Sequence, residues 1–174
     1  MGAGSLKPKC PDFGLHTVPK SLLKYKDYEI HAVGSSDGEK KNLNIASWVM
    51  QTAMGGKRIA LAFYKPDYTL ELVKASGKCC VSLLAESQAG LLTRLGRRSG
   101  RNADKLKNLD FALDEAGNPY LSQAVGFLQC EVLSWTDCLD HELAICKVLK
   151  SKVLNPDSRP LTLDFLRERK WVRG

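Results

Sequence analysis

Two stretches, residues 58–64 (RIALAFY) and residues 78–84 (KCCVSLL), decide the fold class. In each of them both alternating sets of side chains are mainly apolar, which is typical of strands covered on both faces. A strand with one face in water would instead alternate between apolar and polar residues. The two segments therefore predict a closed or sandwiched sheet.

The rest of the chain supplies the partners of these strands. Further strands are predicted where apolar runs are bounded by turn residues, at 29–34, 43–54, 111–113, 124–135 and 141–153. Helices are predicted from start and stop signals at 69–76, 87–95 and 102–108, the first two with Thr69 and Ser87 as caps. The fold class is mainly β with α (α+β), a small β-barrel with a few peripheral helices.

Length and composition favour one domain. The chain has 174 residues, of which 44% are hydrophobic and 26% are charged, enough apolar material for a core. Its pattern divides it into an N-terminal extension at 1–27, a barrel domain at 28–153 and a basic C-terminal segment at 154–174. The net charge of +7 suits an anionic partner such as a phosphate ligand or a nucleic acid.

Location is predicted from what the sequence lacks. The longest apolar runs, 59–64 and 124–128, are far shorter than the roughly 18 residues of a membrane span. The N-terminus has no apolar segment after its charges, so it does not look like a secretory signal. A cytoplasmic location and six reduced cysteines are therefore expected.

Common catalytic motifs are missing. Gly55-Gly56-Lys57-Arg58 is not a Walker A sequence, and no G-x-G-x-x-G pattern follows a strand. The G-x-S-x-G pattern at 34–38 leads into another strand, whereas a nucleophile elbow leads into a helix. Neither C-x-x-C nor H-E-x-x-H occurs, so we predict no metal site.

Three groups of polar residues remain as candidates. Trp48 stands among polar neighbours in an apolar strand, as either a core residue or part of a ligand surface. Tyr68 and Thr69 open a helix, where free N–H groups can cap the chain or attract an anion. The loop 97–101 (RRSGR) is either a solvated basic turn or a phosphate-binding loop.

In combination these residues resemble a known family. The motifs are NLNIASW at 42–48 with Gln51, Tyr68-Thr69 before Glu71-Leu72, RSGR at 98–101 before Asp104-Lys105, and Asp140-His141. In order and spacing they resemble the flavin reductase-like, FMN-binding split-barrel family, from about residue 28 to about residue 153. The resemblance implies a homodimer that binds FMN noncovalently near the subunit interface. It also implies either NAD(P)H-dependent flavin reduction or electron transfer through bound FMN.

The resemblance also implies roles for individual residues. Four would line the isoalloxazine and the ribityl chain: Ala46, Ser47, Trp48 and Gln51. Four would hold the phosphate end, with Lys105 close by: Tyr68, Thr69, Ser99 and Arg101. His141 would lie near the flavin ring or the nicotinamide. Ile45 stands where family members often carry Thr, which implies the loss of one hydrogen bond to the flavin.

Three classes of function stay open. A flavin reductase is preferred, with FMN or FAD as the flavin and a protein as a possible acceptor of its electrons. A noncatalytic electron carrier of the same fold fits the same residues. The third class is a small basic barrel that binds nucleic acid; against it, aromatic residues make up only 7% of the chain and none lies in the 97–101 loop.

Overall fold

The computed structural model describes residues 21–172, which form two sheets and three α-helices. The strands are β1 (His31–Ser36), β2 (Lys41–Ala46), β3 (Val49–Gln51), β4 (Arg58–Tyr64), β5 (Lys78–Leu83), β6 (Phe111–Leu113), β7 (Pro119–Leu121), β8 (Gly126–Cys138) and β9 (His141–Val153). The helices are α1 (Tyr68–Ser76), α2 (Leu91–Gly96) and α3 (Leu163–Glu168), with short 3₁₀ turns at Leu22–Tyr25 and Glu86–Gln88.

The main sheet is antiparallel and has seven strands in the order β2-β1-β5-β8-β9-β4-β3. Its two edge strands follow one another in the chain, because only Ser47 and Trp48 separate β2 from β3. A connection this short spans at most roughly 11 Å. The sheet therefore curls until its edges nearly meet, and the predicted mainly β, barrel-like fold class is confirmed.

Curling creates an inner and an outer core. Val33 of β1 and Leu61 of β4 pack in one buried cluster inside the curl, although three strands lie between them in the sheet. The neighbouring Ala32 belongs to a second cluster on the outer face, together with Leu43 of β2. Both faces are thus covered, which explains the lack of apolar–polar alternation in these strands.

Helix α1 fills the open side of the inner core. Its Leu70 and Val73 are part of the inner cluster, and the helix ends at Gly77, whose φ of 68° places it in the left-handed region. Glycine adopts this conformation at little cost. The turn returns the chain directly into β5.

The hairpin of β6 and β7 crosses the outer face of β1. A Cβ atom on Gly34 would lie 1.7 Å from the carbonyl oxygen of Pro119. The main chains of β1 and β7 therefore touch at a point where no side chain fits. Ser82 completes the junction, since its hydroxyl accepts a hydrogen bond from the Leu121 N–H at 3.2 Å.

Residues after β9 also cover the outer face. Leu161 and Leu166 are fully buried in the outer cluster. The Leu161 carbonyl accepts from the Ile30 N–H at 2.8 Å, and the Leu161 N–H donates to Leu84 at 2.8 Å. The C-terminal segment, which the sequence analysis set apart by its basic charge, thus contributes apolar side chains to the core of the barrel.

Three expectations about local structure were wrong. Residues 102–108 form turns instead of a helix, because the Asp104 carboxylate accepts from the N–H groups of Leu106 and Lys107. The 87–95 helix starts only at Leu91, after a 3₁₀ turn, so Ser87 is not its cap. The apolar run 43–54 is divided between β2 and β3, on opposite edges of the sheet.

Two further findings concern the described residues. Their five cysteines form no disulfide; Cys10 and the expected extension up to residue 20 lie outside residues 21–172. No helix in this range is long and apolar enough to cross a membrane.

The contact at Gly34 gives a test of the fold. We expect Gly34→Ala to lower the free energy of unfolding by about 3 kcal/mol, because the new methyl group meets main-chain atoms that cannot rotate away. Gly55→Ala is the matched control, since a Cβ there meets nothing within 4 Å. Urea unfolding of both variants measures the difference. Equal midpoints for the two would contradict the crossing of β7 over β1.

Candidate functional site

The edge strand β2 presents two asparagines to the start of α1. The Asn42 side-chain N–H donates to the Thr69 hydroxyl at 2.8 Å, and that of Asn44 donates to the Asp67 carboxylate at 2.7 Å. Alternate residues of a strand share a face, so both amides lie on the same side of β2. They fix the first turn of α1 against the sheet edge.

Lys105 is the buried charge of the site. It is 4% exposed, and its ammonium group donates to the Leu95 carbonyl at 2.6 Å, the Leu43 carbonyl at 3.1 Å and the Asn44 amide oxygen at 3.3 Å. Burial lowers the pKa of Lys105 to about 8, against the attraction of Asp67. Burial likewise raises the pKa of Asp67, while Lys105 opposes the change. The Lys105 ammonium group thus holds β2, α2 and the 97–105 loop together.

These elements enclose a cavity of about 220 Å³, here called the basic cavity. Five residues that the family resemblance placed at the phosphate end line it together: Tyr68, Thr69, Ser99, Arg101 and Lys105. Arg97 and Arg98 line it as well. Four cationic side chains thus surround one small opening, and Asp67 is the carboxylate in its wall.

Gly100 and Arg101 hold the 97–101 loop against the start of α1. A Cβ on Gly100 would lie 2.2 Å from the Asn42 amide oxygen and 3.1 Å from the Tyr68 ring, so only glycine fits there. The Arg101 guanidinium lies 5.4 Å from the centre of the Tyr68 ring, donates to the Pro66 carbonyl and pairs with Glu71. Its N–H donates to the Ser99 hydroxyl at 3.2 Å. The loop therefore closes over the first turn of α1.

Helix α1 begins at this cavity. Asp67 is its N-cap residue, without a capping hydrogen bond from its side chain, and Thr69 is buried instead of acting as the cap. The first N–H groups of an α-helix have no partner within the helix, and its dipole places partial positive charge there. Helix start, cationic loop and buried ammonium together form a site suited to an anion.

A second cluster lies at the rim of the sheet. The His141 ring centre is 4.7 Å from that of Trp48 and 5.3 Å from that of Tyr64. The Asp140 carboxylate lies 2.8 Å from His141 Nδ1, and this hydrogen bond lowers the pKa of Asp140. The Asp67 N–H donates to the Tyr64 carbonyl at 2.9 Å, so a single turn joins this aromatic cluster to the basic cavity.

The other expected site residues do not all lie in one place. Ala46 packs against the inner core at the end of β2, and Ser47 leads into Trp48, which is 51% exposed. Gln51 lies elsewhere, in a groove of about 570 Å³ with His31 and Met50. Its side-chain N–H donates to the Ala53 carbonyl at 2.8 Å. Gln51 therefore belongs neither to the basic cavity nor to the aromatic cluster.

The structure shows where Ile45 lies and gives structural roles to three polar residues. The Ile45 side chain packs against the outer cluster, on the face of β2 opposite Asn44. Sequence reasoning assigned no role to three residues that support the start of α1: Asn42, Asn44 and Asp67. The signal that could have found the asparagines is N-x-N in an edge strand, since polar side chains two residues apart share one face.

A curled, seven-stranded antiparallel sheet whose edge strands nearly meet is the architecture of a split barrel. The profile of the flavin reductase like domain family matches residues 28–172. The chain belongs to this family.

Curated relatives share part of this sequence. A high molecular weight rubredoxin of Moorella thermoacetica is 28% identical over 129 residues, which are 73% of this chain and 56% of that protein. A flavin reductase of Pseudomonas putida is 28% identical over 122 residues, 70% of this chain and 69% of that protein. Diflavin flavoprotein A 1 of Synechocystis is 25% identical, and the matched part is 22% of its length. The chain thus spans about half or less of several relatives that it matches.

Solved structures share the fold at low identity. An FMN-binding protein from Thermus thermophilus superposes with a TM-score of 0.73 at 21% identity, covering 91% of this chain and 86% of that one. The Streptomyces globisporus C-1027 NADH:FAD oxidoreductase has a TM-score of 0.73 at 17% identity, covering 79% and 81%. These likenesses show the split-barrel fold.

The lowered pKa of Lys105 predicts a pH dependence of stability. Between about pH 8 and its ordinary value of 10.5 the unfolded chain holds a proton that the folded chain has lost. A rise in pH through this range therefore favours the folded state. We expect the free energy of unfolding of the wild type to rise relative to that of Lys105→Met over this range.

Urea unfolding of both proteins below and above pH 8 measures this difference. Other groups that titrate in the same range are common to both proteins and cancel in the comparison. Parallel pH profiles would show that Lys105 keeps its ordinary pKa in the folded chain.

Proposed function

We propose that this chain binds FMN and transfers electrons from NAD(P)H to flavin, as a flavin reductase. The observation that carries the proposal is the convergence of the 97–101 loop, the start of α1 and Lys105 on one cavity. That cavity is one turn away from the aromatic cluster of Trp48, Tyr64 and His141. A ligand with a phosphate at one end and a flat ring at the other matches this layout. Relatives named flavin reductase support the same activity.

The residues present fit the phosphate end of such a ligand. Ser99 and Thr69 supply hydroxyl groups, while Arg97 and Arg98 are exposed cations on the cavity wall. Charge-assisted hydrogen bonds of this kind contribute roughly 1.5–3 kcal/mol each. The Asn42 amide oxygen is buried without a hydrogen-bond partner and is an acceptor that a ligand hydroxyl could use. We therefore place the phosphate among these residues.

The proposed roles follow from this placement. A bound flavin supplies the hydride and electron chemistry, which leaves the protein to bind, orient and tune it. Trp48 and Ala46 would position the ring at the end of β2. His141 would donate a hydrogen bond or positive charge toward the ring as it gains electrons, with Asp140 holding Nδ1. No protein nucleophile is needed, in keeping with the missing catalytic motifs.

A second candidate is an electron carrier that passes electrons from the flavin to another protein. It is favoured by the relatives in which the matching region is only part of a longer chain, a high molecular weight rubredoxin and diflavin flavoproteins. Reduction of added flavin by NAD(P)H in steady state separates the two candidates. A reductase turns over, whereas a carrier keeps one flavin per site and needs a protein acceptor.

We also propose that the chain forms a homodimer. The groove beside Gln51 contains apolar residues from several strands, and Met50 is 63% exposed there. The His31 Nδ1 atom in the same groove is buried without a hydrogen-bond partner. A second copy would cover this surface, with an obligate interface burying roughly 2,000 Å² or more. Light scattering should give about twice 19.2 kDa; a mass of one chain at micromolar concentration overturns the dimer.

Phosphate recognition can be separated from ring recognition. We expect Ser99→Ala to weaken FMN binding about tenfold and riboflavin binding little, because only FMN carries a phosphate to lose the hydroxyl contact. Ser134→Ala, at an exposed serine of β8, is the matched control. Fluorescence titration gives both dissociation constants. Equal losses for the two ligands would place Ser99 away from the phosphate.

The role of His141 can be tested in turnover. We expect His141→Ala to lower NAD(P)H oxidation by roughly 10- to 1,000-fold with FMN still bound, since hydride transfer needs no obligatory base here. His141→Gln, which keeps a hydrogen-bond donor without the charge, should lie between wild type and His141→Ala. Unchanged turnover in His141→Ala would show that His141 is a surface residue paired with Asp140 and takes no part in the reaction.

A further inference from the structure

One side chain joins the 97–101 loop to the start of α1. Among residues 21–172, the hydrogen bonds between this loop and residues 66–71 all come from the Arg101 guanidinium, which donates to the Pro66 carbonyl at 3.0 Å and to the Glu71 carboxylate. The same guanidinium lies 5.4 Å from the centre of the Tyr68 ring. The position of the loop over the basic cavity therefore depends on what holds Arg101.

Arg101 is also tied to the residue that faces the proposed phosphate. Its main-chain N–H donates to the Ser99 hydroxyl at 3.2 Å, and the Ser99 carbonyl accepts from the Asn102 N–H at 3.3 Å. The loop forms a tight turn here, and its Gly100 lies so close to Asn42 that a Cβ atom would not fit. A displacement of Arg101 would therefore move Ser99 with it.

Glu71 holds Arg101 from outside the basic cavity. It lines a neighbouring open cleft of about 610 Å³ together with Lys40, Lys41 and Asp104, whereas Arg101 lines both the cleft and the basic cavity. The Glu71 side chain is 57% exposed. A carboxylate near an anion site repels the anion, so the charge of Glu71 by itself opposes FMN binding. Glu71 can favour binding only through its contact with Arg101.

We propose that Glu71 is a positioning residue, which holds Arg101 so that the 97–101 loop is already closed over the phosphate site when the flavin arrives. This inference rests on the proposed FMN binding and adds to it a residue that does not touch the ligand. A loop that is held in its binding conformation loses less conformational freedom when the ligand binds. An exposed ion pair contributes little to global stability, so the effect falls on the loop and its ligand.

Two substitutions at position 71 separate positioning from charge. Glu71→Gln and Glu71→Ala remove the same negative charge and relieve the same repulsion, but only glutamine keeps an acceptor for the Arg101 guanidinium. We expect FMN to bind Glu71→Ala about fivefold more weakly than Glu71→Gln, while riboflavin, which has no phosphate, binds both equally. Alanine favours a helix at least as well as glutamine, so unfolding of α1 does not explain such a loss. Fluorescence titration gives the dissociation constants.

Two controls show whether the effect passes through Arg101. In an Arg101→Ala background the difference between Glu71→Gln and Glu71→Ala should vanish, because no guanidinium is left to hold. Glu115→Gln and Glu115→Ala form the matched pair at a distance, since Glu115 is an exposed carboxylate that pairs with Lys150 at 2.6 Å and lines neither the basic cavity nor the open cleft. These two variants should bind FMN equally.

Equal FMN affinities of Glu71→Gln and Glu71→Ala would overturn the positioning role, and so would a difference that persists in the Arg101→Ala background. Hydrogen exchange of residues 97–105, measured without flavin, separates this inference from the proposed function. We expect faster exchange in Glu71→Ala than in Glu71→Gln, and equal exchange overturns the positioning role. If the wild type binds no FMN while the exchange rates differ as expected, the proposed function alone fails.

Discussion

The two-residue connection through Ser47 and Trp48 is the constraint on which the rest of the structure depends. It joins the opposite edges of a seven-stranded sheet, so the sheet must curl until those edges come close. The curl creates the inner core and leaves an outer face that the hairpin of β6 and β7, α2 and residues 154–172 must cover. It also brings Trp48 against His141, at the start of β9.

Electrostatics at the sheet edge depend on one buried ammonium group, that of Lys105. Lys105 is surrounded by carbonyl and amide oxygens, and Asp67 provides the opposing carboxylate. Burial moves both groups toward their neutral forms. An anion in the basic cavity would oppose this effect on Lys105, because its negative charge favours the charged ammonium group. In the proposed flavin site, the ammonium group that supports the structure would also recognise the ligand.

The edge strand β2 separates two chemically different surfaces because its side chains alternate. Asn42 and Asn44 face the start of α1 and the basic cavity, whereas Ile45 faces the outer core and a second cavity beside Leu92. The loop through Gly96 and Arg97 passes around the edge and borders both cavities.

The sequence by itself determined the elements whose pattern is local, such as β4, the long hairpin of β8 and β9, and the helix that ends at Gly77. It also grouped Tyr68, Thr69, Ser99, Arg101 and Lys105 through their resemblance to a family, and the structure brings all five to one cavity. Only the tertiary structure separated Gln51 from them, because the division of 43–54 depends on sheet closure. It alone decided the burial of Leu161 and the place of Trp171, since contacts between distant segments leave no periodic signal in a chain.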